Sequence, residues 1–221
     1  MKISPAILVS TYDELEKQLN SVKNIFEYAQ LDIMDGKFVS NKSFNYNEPE
    51  IDLNKFFNKR LPSNLKLELH LMVADPLTEL KRWKKVKNIF RVIFHIESSK
   101  NPNEIIKNIK NNKWQVGIAL NPKTPIESIA PFLKKLDVVL FMTVIPGKQG
   151  GKFIKKTSKK IQQLSKMPNA PTIAVDGAIT KNNIQEVKKW GVEIFNIGGA
   201  LMSTKNIKKA LKEISSNNHV C

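Results

Sequence analysis

Asp32 and Asp176 each stand where a short apolar run opens into a glycine-bearing loop. Tyr28–Met34 leads into Asp35-Gly36, and Thr172–Val175 leads into Asp176-Gly177. A carboxylate in such a place must be hydrogen-bonded, metal-bound or catalytic, because an unpaired buried charge is very costly. Two of the three histidines, His70 and His95, close similar runs. Glycines gather at the ends of the last three runs, in Pro146-Gly147-Lys148-Gln149-Gly150-Gly151, Asp176-Gly177-Ala178 and Gly198-Gly199-Ala200. Loops of this kind let backbone N–H groups converge on a phosphate, and a short helix starting after the last would add its dipole. The residue types therefore offer acid–base carboxylates beside an anion site.

These residues meet only if the runs that carry them are neighbouring strands. The runs are Ile3–Val9, Tyr28–Met34, Leu65–Met72, Arg91–His95, Gln115–Leu120, Val138–Val144, Thr172–Val175 and Ile194–Ile197. Amphipathic stretches separate them: Tyr12–Ile25, Pro76–Val86, Asn103–Asn111, Ile126–Lys135, Thr157–Lys166, Asn182–Trp190 and Thr204–Ile214. Only Phe44–Asn64 is vague, broken by Pro49 and Pro62, with Ile51–Asn58 as a helix inside it. Eight strand–helix units in 221 residues predict one closed (β/α)8 barrel. An open doubly wound sheet is the alternative, but no G-x-G-x-x-G follows the first run. With no linker to divide it, residues 1–221 read as one domain ending in a frayed tail that includes His219. In a barrel the carboxyl ends of the strands share one mouth. Asp32 and Asp176 would face each other there, an arrangement suited to removing a proton from one face of a carbon and returning it to the other.

The totals narrow the function classes. No apolar run approaches the roughly 20 residues a membrane span needs, and the opening Met1-Lys2-Ile3-Ser4-Pro5 carries no apolar signal segment. The one cysteine, Cys221, excludes an intrachain disulfide framework and fits a reducing cytoplasm. The formal charge is +16, yet only Arg60, Arg82 and Arg91 are arginines. Nucleic-acid binders favour arginine forks and stacking aromatics in a basic patch; scattered lysines read as solvated helix faces.

The motifs resemble the ribulose-phosphate 3-epimerases nearly end to end. They are Ile3-Ser4-Pro5-Ala6-Ile7-Leu8, Asp32-Ile33-Met34-Asp35-Gly36-Lys37-Phe38-Val39, His70-Leu71-Met72-Val73, Asn121-Pro122-Lys123-Thr124-Pro125, Met142-Thr143-Val144-Ile145-Pro146-Gly147 and Val175-Asp176-Gly177, in family order. The resemblance implies a barrel of the ribulose-phosphate-binding type and a metal-assisted proton transfer at C3 of D-ribulose 5-phosphate or D-xylulose 5-phosphate. It makes Asp32 and Asp176 the acid–base pair, and Asp32, His70 and Asp176 ligands of a divalent ion, zinc by family, with Mn, Fe or Mg as alternatives. Gln30 takes the place of a family metal histidine, so position 30 is a weakened fourth ligand. Met34, Met72 and Met142 match the methionines lining a flat enediolate, whose charge soft sulfurs suit. Gly147, Gly150, Gly177, Ala178, Gly198 and Gly199 fall on the family's phosphate wall, with Ala178 in the place of a family glycine and Gly199 in the place of a family serine. Val9 falls where the family has a substrate-contacting serine, and Ser10 beside it is the substitute.

Three readings of single residues complete the set. His95 reads as a packed core histidine, Asp35 and Gly36 as turn formers, and Lys148 equally as a phosphate contact or a solvated loop residue. The expected partners are a small sugar phosphate and further copies of the chain, with no specific nucleic acid and no membrane. A 3-epimerase of another ketose phosphate, such as a hexulose 6-phosphate, and a non-catalytic sugar-phosphate-binding relative are the alternatives.

Overall fold

The structure is a computed structural model, and it describes residues 1–60, 64–147 and 150–215. Eight strands form it: β1 Lys2–Ile7, β2 Tyr28–Met34, β3 Lys66–Met72, β4 Ile89–His95, β5 Gln115–Leu120, β6 Val138–Met142, β7 Thr172–Asp176 and β8 Ile194–Ile197. They are parallel and close in sequence order, with β1 paired to β8. The expected barrel is the observed one. Nine α-helices accompany the strands among the described residues: α1 Tyr12–Val22, α2 Phe44–Asn47, α3 Leu53–Arg60, α4 Pro76–Trp83, α5 Pro102–Asn111, α6 Ser158–Ser165, α7 Ile184–Lys188, α8 Gly199–Met202 and α9 Ile207–Ser215.

Local chemistry sets the ends of these elements. Asp75 caps α4 by accepting from Thr78 N at 3.1 Å, and Pro76, which needs no intrahelical donor, follows it. Ile126–Lys135, read as a helix from its pattern, is a 3₁₀ segment with Pro131 inside it. A proline there removes an N–H and crowds the preceding turn, so α geometry is lost. The tail that includes His219 and Cys221 lies outside the described residues, as do Pro62, Lys148 and Gln149. Among the described residues no helix is long and apolar enough to cross a membrane.

The two-residue period of each strand sorts its side chains. Outward residues such as Leu31, Leu69, Phe94, Ile118, Phe141 and Phe195 pack with Leu15, Leu19, Trp83 and Ile161 of the helices in one continuous core. Each such side chain contributes about 1.5–3 kcal/mol by leaving water. The inward set is divided. Ile93, Ala119, Val138, Leu140, Ala174 and Ile194 fill one side of the barrel, and Gly117 is small because a Cβ there would lie 2.6 Å from Ile93 and 2.7 Å from Val138. The other side is buried and polar: Ser4, Gln30, Asp32, Glu68, His70, Arg91, His95, Asn196 and Asp176.

Candidate active site

Register puts the chemistry side by side. Asp32 pairs with His70 across β2–β3, and Asp176 with Met142 and Asn196 across β6–β7–β8. The two carboxylates, each 8% exposed, come from strands separated by β8 and β1, and one amide links them. Gln30 Nε2 donates to Asp32 Oδ1 at 2.8 Å and to Asp176 Oδ2 at 2.6 Å. Burial, followed by the charge of Asp32, pushes the Asp176 carboxyl up to about 7.

His70 is fully buried, and both its nitrogens are engaged. Nδ1 lies 3.0 Å from Asp32 Oδ1 and 3.6 Å from Asp176 Oδ2, while Nε2 lies 3.0 Å from His95 Nε2. Burial pushes His95 down to about 4, so its ring is neutral near pH 7. Its Nδ1–H then points to Glu97 Oε2 at 3.3 Å, and its Nε2 accepts from His70. Burial works to raise the Glu97 carboxyl, but hydrogen bonds from His95, Thr124 Oγ1 and Asn121 N hold it at about 2. His70 therefore turns the lone-pair side of Nδ1 toward two carboxylates. Burial alone would lower its pKa; the hydrogen bond and charge of Asp32, with Asp176, outweigh that and raise it. The trio calls for a positive charge, as a proton or a cation. Its ligand atoms lie within 4.8 Å of one another, and one imidazole nitrogen with two carboxylate oxygens suits a divalent ion.

Above this floor is a cleft that opens to solvent. Gly147, Gly150, Gly151, Gly177, Ala178, Gly198 and Gly199 form its wall, and Leu8, Met72, Met142 and Val144 its apolar part. Gly177 has φ +117°, and a Cβ on it would lie 2.5 Å from Val144 Cγ2, so both backbone and space demand glycine. Ala178 takes the left-handed region at φ 52°. The α8 turn begins at Gly199 on the cleft wall, where the sequence places a short helix.

Three expectations change. Ser10 is exposed and off the cleft: β1 ends at Ile7, and the chain then turns to start α1, where Ser10 N donates to Glu14 Oε2 at 2.9 Å. Leu8 takes the cleft position instead. Met34 is buried and does not line the cleft, while its backbone N and O bond Ser43 at the start of α2. Gln30 turns its carbonyl away from the trio, to Asn196 Nδ2, so its nitrogen and not a ligand oxygen faces the carboxylates. Asp35 shapes the turn as expected, accepting from Lys37 N, Phe38 N and Ala74 N, with Gly36 at φ 76°. His95 is packed as read, but its contact with His70 is invisible in sequence. The signal for it is that both histidines lie at or near the carboxyl ends of adjacent strands.

A glycine-walled cleft over buried carboxylates, at the carboxyl mouth of a parallel barrel, is the site layout of (β/α)8-barrel enzymes. The chain belongs to the ribulose-phosphate 3 epimerase family, whose profile matches residues 2–202. Ribulose-phosphate 3-epimerase of Helicobacter pylori (strain 26695) is 30% identical over 98% of this chain and 97% of its own length. The Methanocaldococcus jannaschii ribulose-phosphate 3-epimerase is 32% identical over 97% and 89%, and that of Schizosaccharomyces pombe 28% over 98% and 93%. Among solved structures, a mutant tryptophan synthase alpha-subunit from Pyrococcus furiosus has a TM-score of 0.68 at 15% identity, covering 96% of this chain and 97% of that one. KGPDC from Streptococcus mutans in complex with D-R5P has 0.67 at 14%, covering 96% and 94%. Both structures share the barrel.

Proposed function

We propose that the chain interconverts D-ribulose 5-phosphate and D-xylulose 5-phosphate, with Asp32 and Asp176 as its acid–base pair. The observation that carries this reading is the pair of buried carboxylates on the floor of a cleft whose far wall is glycine. The C3 proton lies α to the substrate carbonyl and becomes removable only where the resulting negative charge is stabilised. One aspartate takes that proton from one face of C3, and the other delivers a proton to the opposite face. Gln30 holds the two carboxylates at a fixed spacing, and the His70 ring is oriented by His95 and Glu97. Met72 and Met142 line the apolar side against the planar intermediate. Backbone N–H groups of the glycine wall take the phosphate.

Asp32, His70 and Asp176 would hold a divalent ion, zinc by family and otherwise Mn, Fe or Mg, which when bound supplies Lewis-acid stabilisation of charge on substrate oxygens. A cytoplasmic location and assembly into homo-oligomers belong to the same reading.

Asp32→Asn and Asp176→Asn should each lower kcat on D-ribulose 5-phosphate by roughly 10²–10⁴-fold or more, with the thermal midpoint near wild type. Loss of C3–H exchange into D₂O should accompany the loss of turnover. A variant that keeps most of its activity would remove that residue from the mechanism. Turnover of a hexulose 6-phosphate in preference to the pentulose would redirect the substrate assignment.

A further inference from the structure

A buried polar chain runs down the barrel from the carboxylate pair to Arg91, and its hydrogen bonds set the orientation of each amide in it. At its far end is Arg91, whose guanidinium can only donate. Arg91 Nη1 meets Glu68 Oε2 at 2.6 Å, and its Nε and Nη2 meet Gln115 Oε1 at 2.9 and 2.8 Å. Glu68 is thereby an acceptor, and its other oxygen takes Asn196 Nδ2 at 3.2 Å. The same Asn196 Nδ2 also donates to Gln30 Oε1. A reversed Asn196 amide would press its own oxygen against both of these oxygens, so the hydrogen-bond pattern sets its orientation. With its carbonyl occupied from below, Gln30 points its NH₂ group up, one N–H to each aspartate. Gln30, Glu68 and Asn196 are no more than 1% exposed.

The chain keeps this order at a cost. Asn196 Oδ1 and Ser4 Oγ, on residues paired in register across β1–β8, are both buried without a hydrogen-bond partner among the described residues. Asn196 forgoes a bond for its own oxygen while its nitrogen serves two. The two oxygens of Glu68 and Gln30 that its nitrogen serves hold the amide in that orientation. What it secures is the direction of the Gln30 amide.

We infer that Arg91, Glu68 and Asn196 form a hydrogen-bond relay, with Glu68 accepting from both neighbours, that locks the Gln30 amide nitrogen onto Asp32 and Asp176. Gln30 is then a positioning residue of the acid–base pair and not a cation ligand. The consequence for a divalent ion is specific. The trio alone would hold it, because the Gln30 oxygen is turned away toward Asn196. The inference rests on the acid–base reading for its effect on turnover, but its geometric content stands apart from activity.

Two measurements test it. The first uses the wild type, with Gln30 side-chain resonances followed by NMR during a Zn²⁺ titration. The relay requires the Gln30 NH₂ protons to stay shifted downfield and slow to exchange, with the side-chain carbonyl carbon unmoved. A carbonyl shift of the size that coordination produces would overturn the proposal. The second compares Asn196→Leu and Gln30→Met for Mn²⁺ affinity, kcat and KM. Freed from its donor, the amide of Asn196→Leu should turn its oxygen to the ion, tightening Mn²⁺ about tenfold, while kcat falls about tenfold and KM holds within twofold. Gln30→Met should lose kcat similarly with no gain in Mn²⁺ affinity, having no oxygen to offer. Equal Mn²⁺ affinity in wild type and Asn196→Leu would sink the relay. Absence of epimerase activity in the wild type would instead defeat the functional reading, leaving the NMR and Mn²⁺ arms to decide the relay.

Discussion

Lys160 shows how a single charge can be committed to structure. Its Nζ donates to the carbonyls of Asn121 at 2.6 Å and Thr124 at 2.9 Å, fastening the loop after β5 to α6. Burial pushes its pKa from the ordinary 10.5 down to about 8, with Glu97 opposing the shift. Between about pH 8 and pH 10.5 the unfolded chain therefore holds more protons than the folded one, and this group's contribution to stability rises with pH across that window. Lys160→Met lacks the rise. The difference in thermal midpoint between wild type and variant should move in favour of the wild type from pH 7 to pH 9.5. A difference that stays constant would mean that Lys160 titrates in the fold as it does in water. Gly177 carries the opposite lesson. Its sequence context points to space for a phosphate, whereas a side chain there would first strike Val144.

Among the elements, α2 is the one that sequence pattern leaves vague, and the reason is physical. Four residues are too few to hold a helix by propensity. Glu79 of α4 holds it instead. Fully buried, its carboxylate accepts from Asn45 Nδ2 at 3.0 Å, Tyr46 Oη at 2.5 Å, Arg82 Nη1 at 3.1 Å and Trp83 Nε1 at 2.7 Å. Through Ser43 and Phe44, the start of α2 also ties down Met34 O and Val9 O at the ends of β2 and β1. Removing the shared acceptor strands four donors at once, one of them a guanidinium. Glu79→Ala should cost about 3–5 kcal/mol in urea unfolding, with Glu79→Gln recovering part of it. A loss below about 1 kcal/mol would mean that α2 is held by its aromatic contacts alone. Those contacts are real: Phe44 lies edge-on to Trp83, with ring centres 6.5 Å apart.

At the scale of the whole molecule, a net formal charge of +16 accompanies a cleft that takes an anion under the proposed function. Lys123 and Lys156 line the groove that shares Pro146 with the cleft. A field of this sign raises the encounter rate with a doubly charged phosphate, and salt screens it as the Debye length falls from about 30 Å to 8 Å. Raising ionic strength from about 10 to 150 mM should lower kcat/KM by on the order of tenfold while leaving kcat unchanged. A flat salt profile would mean that the lysines only solvate the surface.

The barrel was legible because its cause is local. Each strand is a short apolar run, every connection but the one through Phe44–Asn64 reads as amphipathic, and eight repeats close on themselves in sequence order. Asp32, His70, Asp176 and the glycine loops were legible for a related reason, since a charge or a glycine at the end of an apolar run has few ordinary explanations. Where Ser10 falls was decided by tertiary structure, because a strand ending two residues early moves its side chain off the cleft. The relay beneath the site lay further out of reach. Gln30 and Asn196 are 166 residues apart, and Glu68 and Asn196 are 128 apart. In a linear reading each is one polar residue inside an apolar run. Only closing β8 onto β1 brings their amides together in a dry interior, where hydrogen-bond direction determines which atom of Gln30 faces the chemistry.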